Sequence, residues 1–550
     1  MSDNMKPWLK NYPSNVRYQL DYPNKTLGQL FDETVSKMPD SLALIFADQR
    51  ITYRQFGEQV DRFASALANL GIEKGERVGL MGPNCPQWEI AFFALLKLGA
   101  IVVQTNPMYV EREIAYQMND SGATTLIVFE LLYPRVKNIL KETSLKRVIA
   151  FNYLNPVEAS QDLYSFDNLI QCEIAVPEVK INSSEDLAVL QYTGGTTGVS
   201  KGVMLTHRNL ICNTFQVMEL AVNIEYGKER ILTILPVFHV YGMTDCVNFA
   251  VAIAAAQVIL PRFEIEKVLE TIQKHRPTLF PGAPTMYMAI NNHPNIRHFR
   301  ESLAAIKVCN SGSAPLPLEV AQKFAEVTQG EGNLVEGYGL SEASPVTHSN
   351  PLDRPTRPGS IGLPLPDTDC VIMDLETGDR VLPPGEIGEL CIRGPQVMKG
   401  YWNKAKETAE TLRNGWLYTG DIAKMDDDGY FYIIDRKKDI IIAGGFNIYP
   451  RDIEEVLYEH PKVKEVVVAG IPDQYRGETV KAYIVLQPDK EGTEAEFTAF
   501  CKDKMAAYKV PRQVEFRSEL PRTIVGKVLR RQLVEEEKAK LQTAVACEKE

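Results

Sequence analysis

The segment richest in chemistry is YTGGTTGVSKG, Tyr192–Gly202, directly after the apolar run Leu187–Leu190. Gly194, Gly195 and Gly198 have no Cβ, so their backbone N–H groups can turn inward. Thr193, Thr196, Thr197, Ser200 and Lys201 add hydroxyl and ammonium donors. Donors gathered in this way after a strand suit an anion, most simply a polyphosphate. The segment is not a Walker A loop: Ser200 stands where that loop needs its second glycine, and Gly202 where it needs Ser or Thr. A plain surface turn has no use for the hydroxyls and the lysine.

Such a loop needs a rigid support, and the flanking sequence predicts one. Thr52 and Gln55 have the spacing of a capping box, and Phe56, Val60, Phe63, Ala64 and Leu67 follow at helical spacing until Gly71. Strand-like Val78–Met81, helical Pro86–Leu98, strand-like Ile101–Gln104, helical Glu111–Asn119 and strand-like Thr125–Phe129 come next. Strands that are apolar throughout and alternate with helices predict a parallel sheet covered on both faces, and the pattern resumes between about residues 185 and 340. From about Pro355 to Asp435 glycines and prolines punctuate short runs (Cys370–Met373, Glu389–Arg393, Tyr430–Ile434), which predicts a small antiparallel, barrel-like β unit. After Pro450 a helix, two strands, a helix, a short strand and a last helix from about Leu529 predict a compact α+β piece. The fold class expected is therefore α/β: a large N-terminal domain of layered βαβ sheets carrying the β unit, then a smaller, mobile α+β C-terminal domain. The charged tail after Val534 reads as a solvated, fraying helix end.

The 550 residues suggest three or four folding units at roughly 150 residues each. With 60 Lys plus Arg against 71 Asp plus Glu, the net charge of −11 argues against a nucleic-acid partner. Nine scattered cysteines without a C-x-x-C pair read as reduced thiols of a cytoplasmic protein, not as a disulfide or zinc framework. The N-terminus has no signal-peptide h-region, and the apolar run Cys246–Pro261 is shorter than the ~20 residues needed to cross a bilayer. Transient contact with a membrane surface stays open, as does the choice between monomer and homodimer.

YTGGTTGVSKG resembles the signature loop of the acyl-adenylate-forming enzymes, the superfamily of acyl-CoA synthetases, firefly luciferase and nonribosomal adenylation domains. YGLSE (Tyr338–Glu342), YTGD (Tyr418–Asp421), DRKKDIIIAGGFNIYP (Asp435–Pro450) and PRTIVGK (Pro521–Lys527) match further motifs of that family, in order. Among its members the chain is most similar to bacterial long-chain fatty-acid–CoA ligases. The resemblance implies a carboxylic acid partner, ATP and coenzyme A as co-substrates, and Mg²⁺. The alternatives are an aryl-acid–CoA ligase of the 4-coumarate type and a non-catalytic binder on the same scaffold.

The resemblance also assigns roles. Thr193, Thr196, Thr197 and Lys201 would hold the β- and γ-phosphates, Glu342 the Mg²⁺, and Ser341 the α-phosphate. Tyr338 and Gly339, with the turn Gly312, Ser313, Ala314 and Pro315, would form the adenine slot. Asp421 and Arg436 would meet the ribose. Lys527 would bridge the substrate carboxylate and the α-phosphate. Lys438 would be the hinge between a domain of residues 1–437, including the β-rich stretch about 355–435, and one of residues 438–550. Gly444 and Gly445 would admit the pantetheine arm. In PVFHVYG (Pro236–Gly242), His239 would lie beside the acyl carboxylate. Phe238–His239 stand where amino-acid-activating relatives place an aspartate, which favours an acid without an amine. The alanine-rich Phe249–Ala256 fits either an acyl channel or a packed core, and Arg512, Arg517, Arg522, Arg530 and Arg531 either CoA phosphates or a solvated face.

Overall fold

In the computed structural model, which describes residues 6–193, 200–221, 223–328, 334–443, 446–473, 477–523 and 528–547, Thr52 and Gln55 close the predicted capping box. The Thr52 hydroxyl accepts from the Gln55 N–H, and the Gln55 side chain accepts from the Thr52 N–H. Helix Tyr53–Asn69 comes next and buries Phe56, Val60, Phe63, Ala64 and Leu67, the predicted face. A second capping box, Thr26 with Gln29, starts an earlier helix, Leu27–Lys37, that the sequence reading does not include.

The chain divides into two compact units. The first comprises Met1–Cys370, Ile392–Tyr418 and Asp428–Tyr430; the second comprises Val371–Cys391, Thr419–Asp427 and Phe431–Glu550. The β-rich stretch is thus shared between them.

The first unit holds two mainly parallel sheets. One runs in the order Gly400–Tyr401, Lys201–Thr206, Leu187–Thr193, Ile101–Thr105, Arg77–Met81, Thr125–Phe129, Arg147–Phe151, Tyr164–Ser165. Its strands from Leu187–Thr193 through Tyr164–Ser165 are parallel. The other has at its centre the parallel strands Leu42–Phe46, Ala256–Ile259, Arg230–Thr233, Leu279–Gly282, Val308–Ser311 and Leu334–Gly339. Parallel strands are buried on both faces, which explains why they read as unbroken apolar runs. Helix Pro86–Lys97 is buried over nearly its whole length. It even encloses Glu89, whose carboxylate accepts 2.7 Å from Gln257 Nε2 and is pushed by burial up to about 8.

The second unit pairs Val463–Asp473 with Gly477–Leu486, adds Ile441–Ala443 antiparallel and Gln513–Phe516 parallel, and packs Ile453 and Leu457 of helix Pro450–Tyr458 and Phe497 of helix Glu494–Lys502 into one core with Val466, Val468 and Ile484 of the strands. The last helix, Arg530–Cys547, is not merely solvated: Glu537 is buried and pairs with Lys481 at 3.0 Å. Among the described residues, no helix is long and apolar enough to cross a membrane.

Arg530 ties this unit together. Its guanidinium lies 2.8 Å from Asp439, 2.7 Å from Glu454 and 3.6 Å from Asp435, two carboxylates of the DRKKD run and one of helix Pro450–Tyr458. Burial pushes the Asp435 carboxyl up to about 6, with Arg530 opposing that rise. Arg530→Ala is expected to cost about 3 kcal/mol of stability in urea unfolding, because it strands buried carboxylates. Without the arginine the folded-state value of Asp435 rises further above its unfolded value. The variant's stability therefore falls as pH rises through that value, so the loss is smaller at acidic than at alkaline pH.

Candidate active site

Strands Leu187–Thr193 and Lys201–Thr206 pair antiparallel, with Thr193 opposite Lys201. The glycine-rich loop therefore joins the two arms of a hairpin and leads into a strand, not a helix. Gly194, Gly195, Thr196, Thr197 and Gly198 lie outside the described residues, as do Gly444, Gly445 and Lys527. Both ends of the loop are fixed. Ser200 Oγ donates to the Thr193 carbonyl at 2.9 Å, and Tyr116 Oη donates to the Ser200 carbonyl at 3.0 Å. Tyr192 Oη donates to Asp120 at 2.7 Å, and the Trp402 N–H donates to the Gly202 carbonyl at 2.8 Å.

Strand Gly400–Tyr401 pairs with the outgoing arm, placing Tyr401 opposite Val203. Lys201 Nζ lies 4.9 Å from the centre of the Tyr401 ring, and Tyr401 Oη donates to Glu342 Oε1 at 2.7 Å. One phenol thus touches both charged residues, its face on the ammonium and its hydroxyl on the carboxylate. Burial, and then the negative Glu342, hold the phenol far above its ordinary value, so it stays a donor. Glu342 and Ser341 sit half-buried on the single turn Ser341–Ala343 at the end of strand Leu334–Gly339.

Strands Val308–Ser311 and Leu334–Gly339 run parallel side by side, so the Gly312–Pro315 turn follows the first and Tyr338–Gly339 end the second at the same, carboxyl end. This is where open α/β sheets bind ligands. Two close approaches fix the backbone there. A Cβ on Gly339 would sit 2.3 Å from the Pro345 carbonyl oxygen, and Ser313 holds φ at 71°. Tyr338 presents a half-exposed ring, edge-on to His348 at 5.9 Å.

His239 caps the turn Val240–Gly242, with Nδ1 accepting the Tyr241 N–H at 3.3 Å, which leaves the proton of a neutral ring on Nε2. Tyr241 Oη donates to the Asn310 carbonyl at 3.1 Å, tying this segment to the strand that ends in the Gly312 turn. A cavity of about 70 Å³ is walled by Leu220, Phe249, Leu279, Phe280 and Val335, with Asp245 and Asn310 also in the wall. Of the alanine-rich stretch only Phe249 lines this space; Ala250, Ala255 and Ala256 belong to the packed core.

In the second unit Asp421 and Arg436 stand opposite each other on strands Trp416–Met425 and Phe431–Arg436, with Arg436 Nε 3.2 Å from Asp421 Oδ1. Asp421 is buried, and its N–H donates to Thr419 Oγ1 at 3.1 Å. Lys438 is exposed. Four arginines of the suggested CoA cluster are engaged with carboxylates: Arg517 with Glu536, Arg522 with Glu465, Arg530 with Glu454 and Arg531 with Glu535.

Residues 31–402 match the family model of the AMP-binding enzymes, and residues 452–527 match that of the AMP-binding enzyme C-terminal domain. The chain belongs to the AMP-binding enzyme family. This AMP-binding enzyme is 47% identical to a long-chain-fatty-acid–CoA ligase of Bacillus subtilis, over 97% of its own length and 98% of the relative's. It is 37% identical to the ligase of that name from Escherichia coli O6:H1, over 98% and 99%. Among solved structures, the anthranilate CoA ligase AuaEII in complex with anthranoyl-AMP superposes with a TM-score of 0.86 at 29% identity, covering 94% of this chain and 99% of that one. ATP-bound MatB from Rhodopseudomonas palustris superposes at 0.85 and 28%, covering 93% and 99%.

Tyr401 is the residue that sequence reasoning missed. A tyrosine in the run KGYW has no local signal, because its partners lie 59 and 200 positions away. Tyr401→Phe is expected to lower kcat/KM for ATP roughly tenfold, the scale of one hydrogen bond to a charged group. Tyr401→Leu, which also removes the face under Lys201, is expected to lower it further. Initial rates over a series of ATP concentrations measure both.

Proposed function

We propose that this AMP-binding enzyme is an ATP-dependent fatty acyl-CoA synthetase that works through an acyl-adenylate. The observation that carries the reading is the convergence of Lys201 and Glu342 on Tyr401 beside the phosphate loop, in a chain matched end to end by relatives of that name. A carboxylate is a poor electrophile, because its charge is delocalised and oxide is a poor leaving group. A carboxylate oxygen therefore attacks the α-phosphorus of ATP, the bond to the bridging oxygen breaks, and pyrophosphate leaves. The CoA sulfur then attacks the acyl carbon, losing its proton to solvent, and AMP departs.

The first step sets anion against anion, and the chain's residues offset that repulsion. Thr193, Thr196, Thr197 and Lys201 hold the β- and γ-phosphates, Ser341 meets the α-phosphate, and Lys527 reaches the carboxylate and α-phosphate together. Tyr338, Gly339 and Gly312–Pro315 take the adenine, and Asp421 with Arg436 takes the ribose. The donor chemistry fits Mg²⁺ carried in with ATP. Among the described residues no cluster of three acidic, histidine or cysteine ligands could hold an ion alone. One carboxylate, Glu342, together with phosphates and water meets magnesium's usual needs. Bound there, magnesium neutralises phosphate charge. His239 donates from Nε2 toward the acyl carboxylate. For the second step residues 438–550 turn about Lys438, and the backbone at Gly444 and Gly445 admits the pantetheine arm.

The test is exchange of labelled pyrophosphate into ATP, without CoA, across fatty and aromatic acids. Exchange with fatty acids is expected. Exchange with aromatic acids only would replace the substrate, and none with any acid would overturn the function.

A further inference from the structure

Asp245 lies on the π-helical segment Met243–Asn248, six residues after His239, and lines a cavity that Asn310 also lines, the residue whose backbone carbonyl accepts from Tyr241 Oη. It is 3% exposed, and among the described residues its Oδ1 has no hydrogen-bond partner. Its neighbours in the wall are Leu220, Phe249, Leu279 and Phe280, and no lining residue is basic. Across the same space Asn310 Oδ1 is likewise buried and without a partner. Two unanswered polar atoms in one cavity whose lining is otherwise apolar except for Ser349 are costly to the fold, and such groups mark strain, catalysis or a bound water, ion or ligand. π-Helical turns are frequent at functional sites.

Chemistry narrows the ligand. Burial pushes the Asp245 carboxyl up to about 8, and the titratable groups bearing on it, Tyr241 and Cys246, are held neutral by burial as well. At neutral pH the group is therefore a carboxylic acid, able to donate one hydrogen bond and accept another. With Asn310 Oδ1, the side-chain amide oxygen, it complements a neutral oxygen-bearing group. A bare methylene chain would leave both atoms unanswered.

We propose that Asp245 reads a hydroxyl or carbonyl substituent on the acyl chain, so that the preferred substrates are oxygenated fatty acids. This rests on the acyl-CoA synthetase reading and on this cavity taking part of the chain. A site built to hydrogen-bond a substituent discriminates against the analogue that lacks it far more strongly than an apolar site separates chain lengths.

The experiment measures kcat/KM by pyrophosphate release, with the full-length enzyme, ATP, magnesium and CoA. Its substrates are saturated fatty acids, each paired with its monohydroxy and monoamino derivatives substituted at successive carbons. One hydroxy regioisomer is expected to exceed its parent by roughly tenfold or more. Asp245→Leu is expected to bring that ratio to one or below, and Asp245→Asn, whose amide still donates and accepts, to keep most of it. The proposal falls if the wild-type enzyme favours the parents at every position, if it favours the amino acids, or if the leucine variant keeps the preference. The wild-type series decides the matter even if a variant does not fold. Turnover of parents without any hydroxy preference defeats this proposal alone, whereas no turnover of any acid defeats the synthetase reading with it.

Discussion

Lys527→Ala is expected to slow acyl-adenylate formation roughly 10²–10³-fold, the scale of losing one preorganised electrostatic donor. Transfer of the acyl group from preformed adenylate to CoA should stay within a few-fold of wild type. The asymmetry arises from where charge accumulates. In the first step a carboxylate approaches the α-phosphorus of a polyanion, and the repulsion is greatest at the atoms that form the new bond. Lys201 is held over the Tyr401 ring, and in the proposed assignment it serves the β- and γ-phosphates, so a second cation is needed at the reacting end. PRTIVGK supplies it by resemblance. In the second step the electrophile is an uncharged acyl carbon and AMP leaves, so the same ammonium has less to offset. Pyrophosphate exchange measures the first step, and mixing isolated acyl-adenylate with CoA measures the second. Equal losses in the two would remove Lys527 from its assigned place.

The supports of the site were legible in the sequence because their causes are local. A Thr–x–x–Gln spacing starts a helix wherever it stands, and apolar runs such as Thr125–Phe129 signal a parallel strand buried on both faces. The motif segments were equally visible, since glycine and charge patterns persist however the chain folds. The contacts that give these residues their chemistry were not visible. Tyr401 meets Lys201 only because a two-residue strand adds to the far arm of the hairpin, and no periodicity announces a two-residue strand. The π-helical turn at Met243–Asn248 obeys no spacing that a 3.6-residue pattern detects, so Asp245, just before the apolar run Cys246–Pro261, carries no sequence signal that it is buried. The sequence leaves Arg530 open between CoA phosphates and a solvated face because its carboxylates, Asp435, Asp439 and Glu454, lie far before it in the chain. Local rules fix elements, whereas long-range packing decides which side chains share a dielectric.

Glu342→Gln is expected to reduce adenylation roughly 10²-fold at a magnesium concentration that saturates the wild type, and to move the magnesium dependence to higher concentration. The substitution keeps the shape of the side chain and an oxygen to accept from Tyr401 at the position now 2.7 Å away, so the loss reports charge and not packing. A neutral amide is a weaker ligand than a carboxylate for a hard, strongly hydrated cation, while the phosphates of ATP still contribute. The effect should therefore be partly recovered by excess magnesium, which a misfolded site could not show. Lewis-acid assistance at a phosphoryl group is worth several kcal/mol, and each 1.36 kcal/mol is a factor of ten, so a hundredfold loss corresponds to partial and not complete removal of the ion. Initial rates of pyrophosphate release, titrated with magnesium at fixed ATP, separate the two components. A rate that falls without any change in the magnesium midpoint would mean that Glu342 acts only through Tyr401, as an anchor for the ring beneath Lys201, and that the ion is held elsewhere.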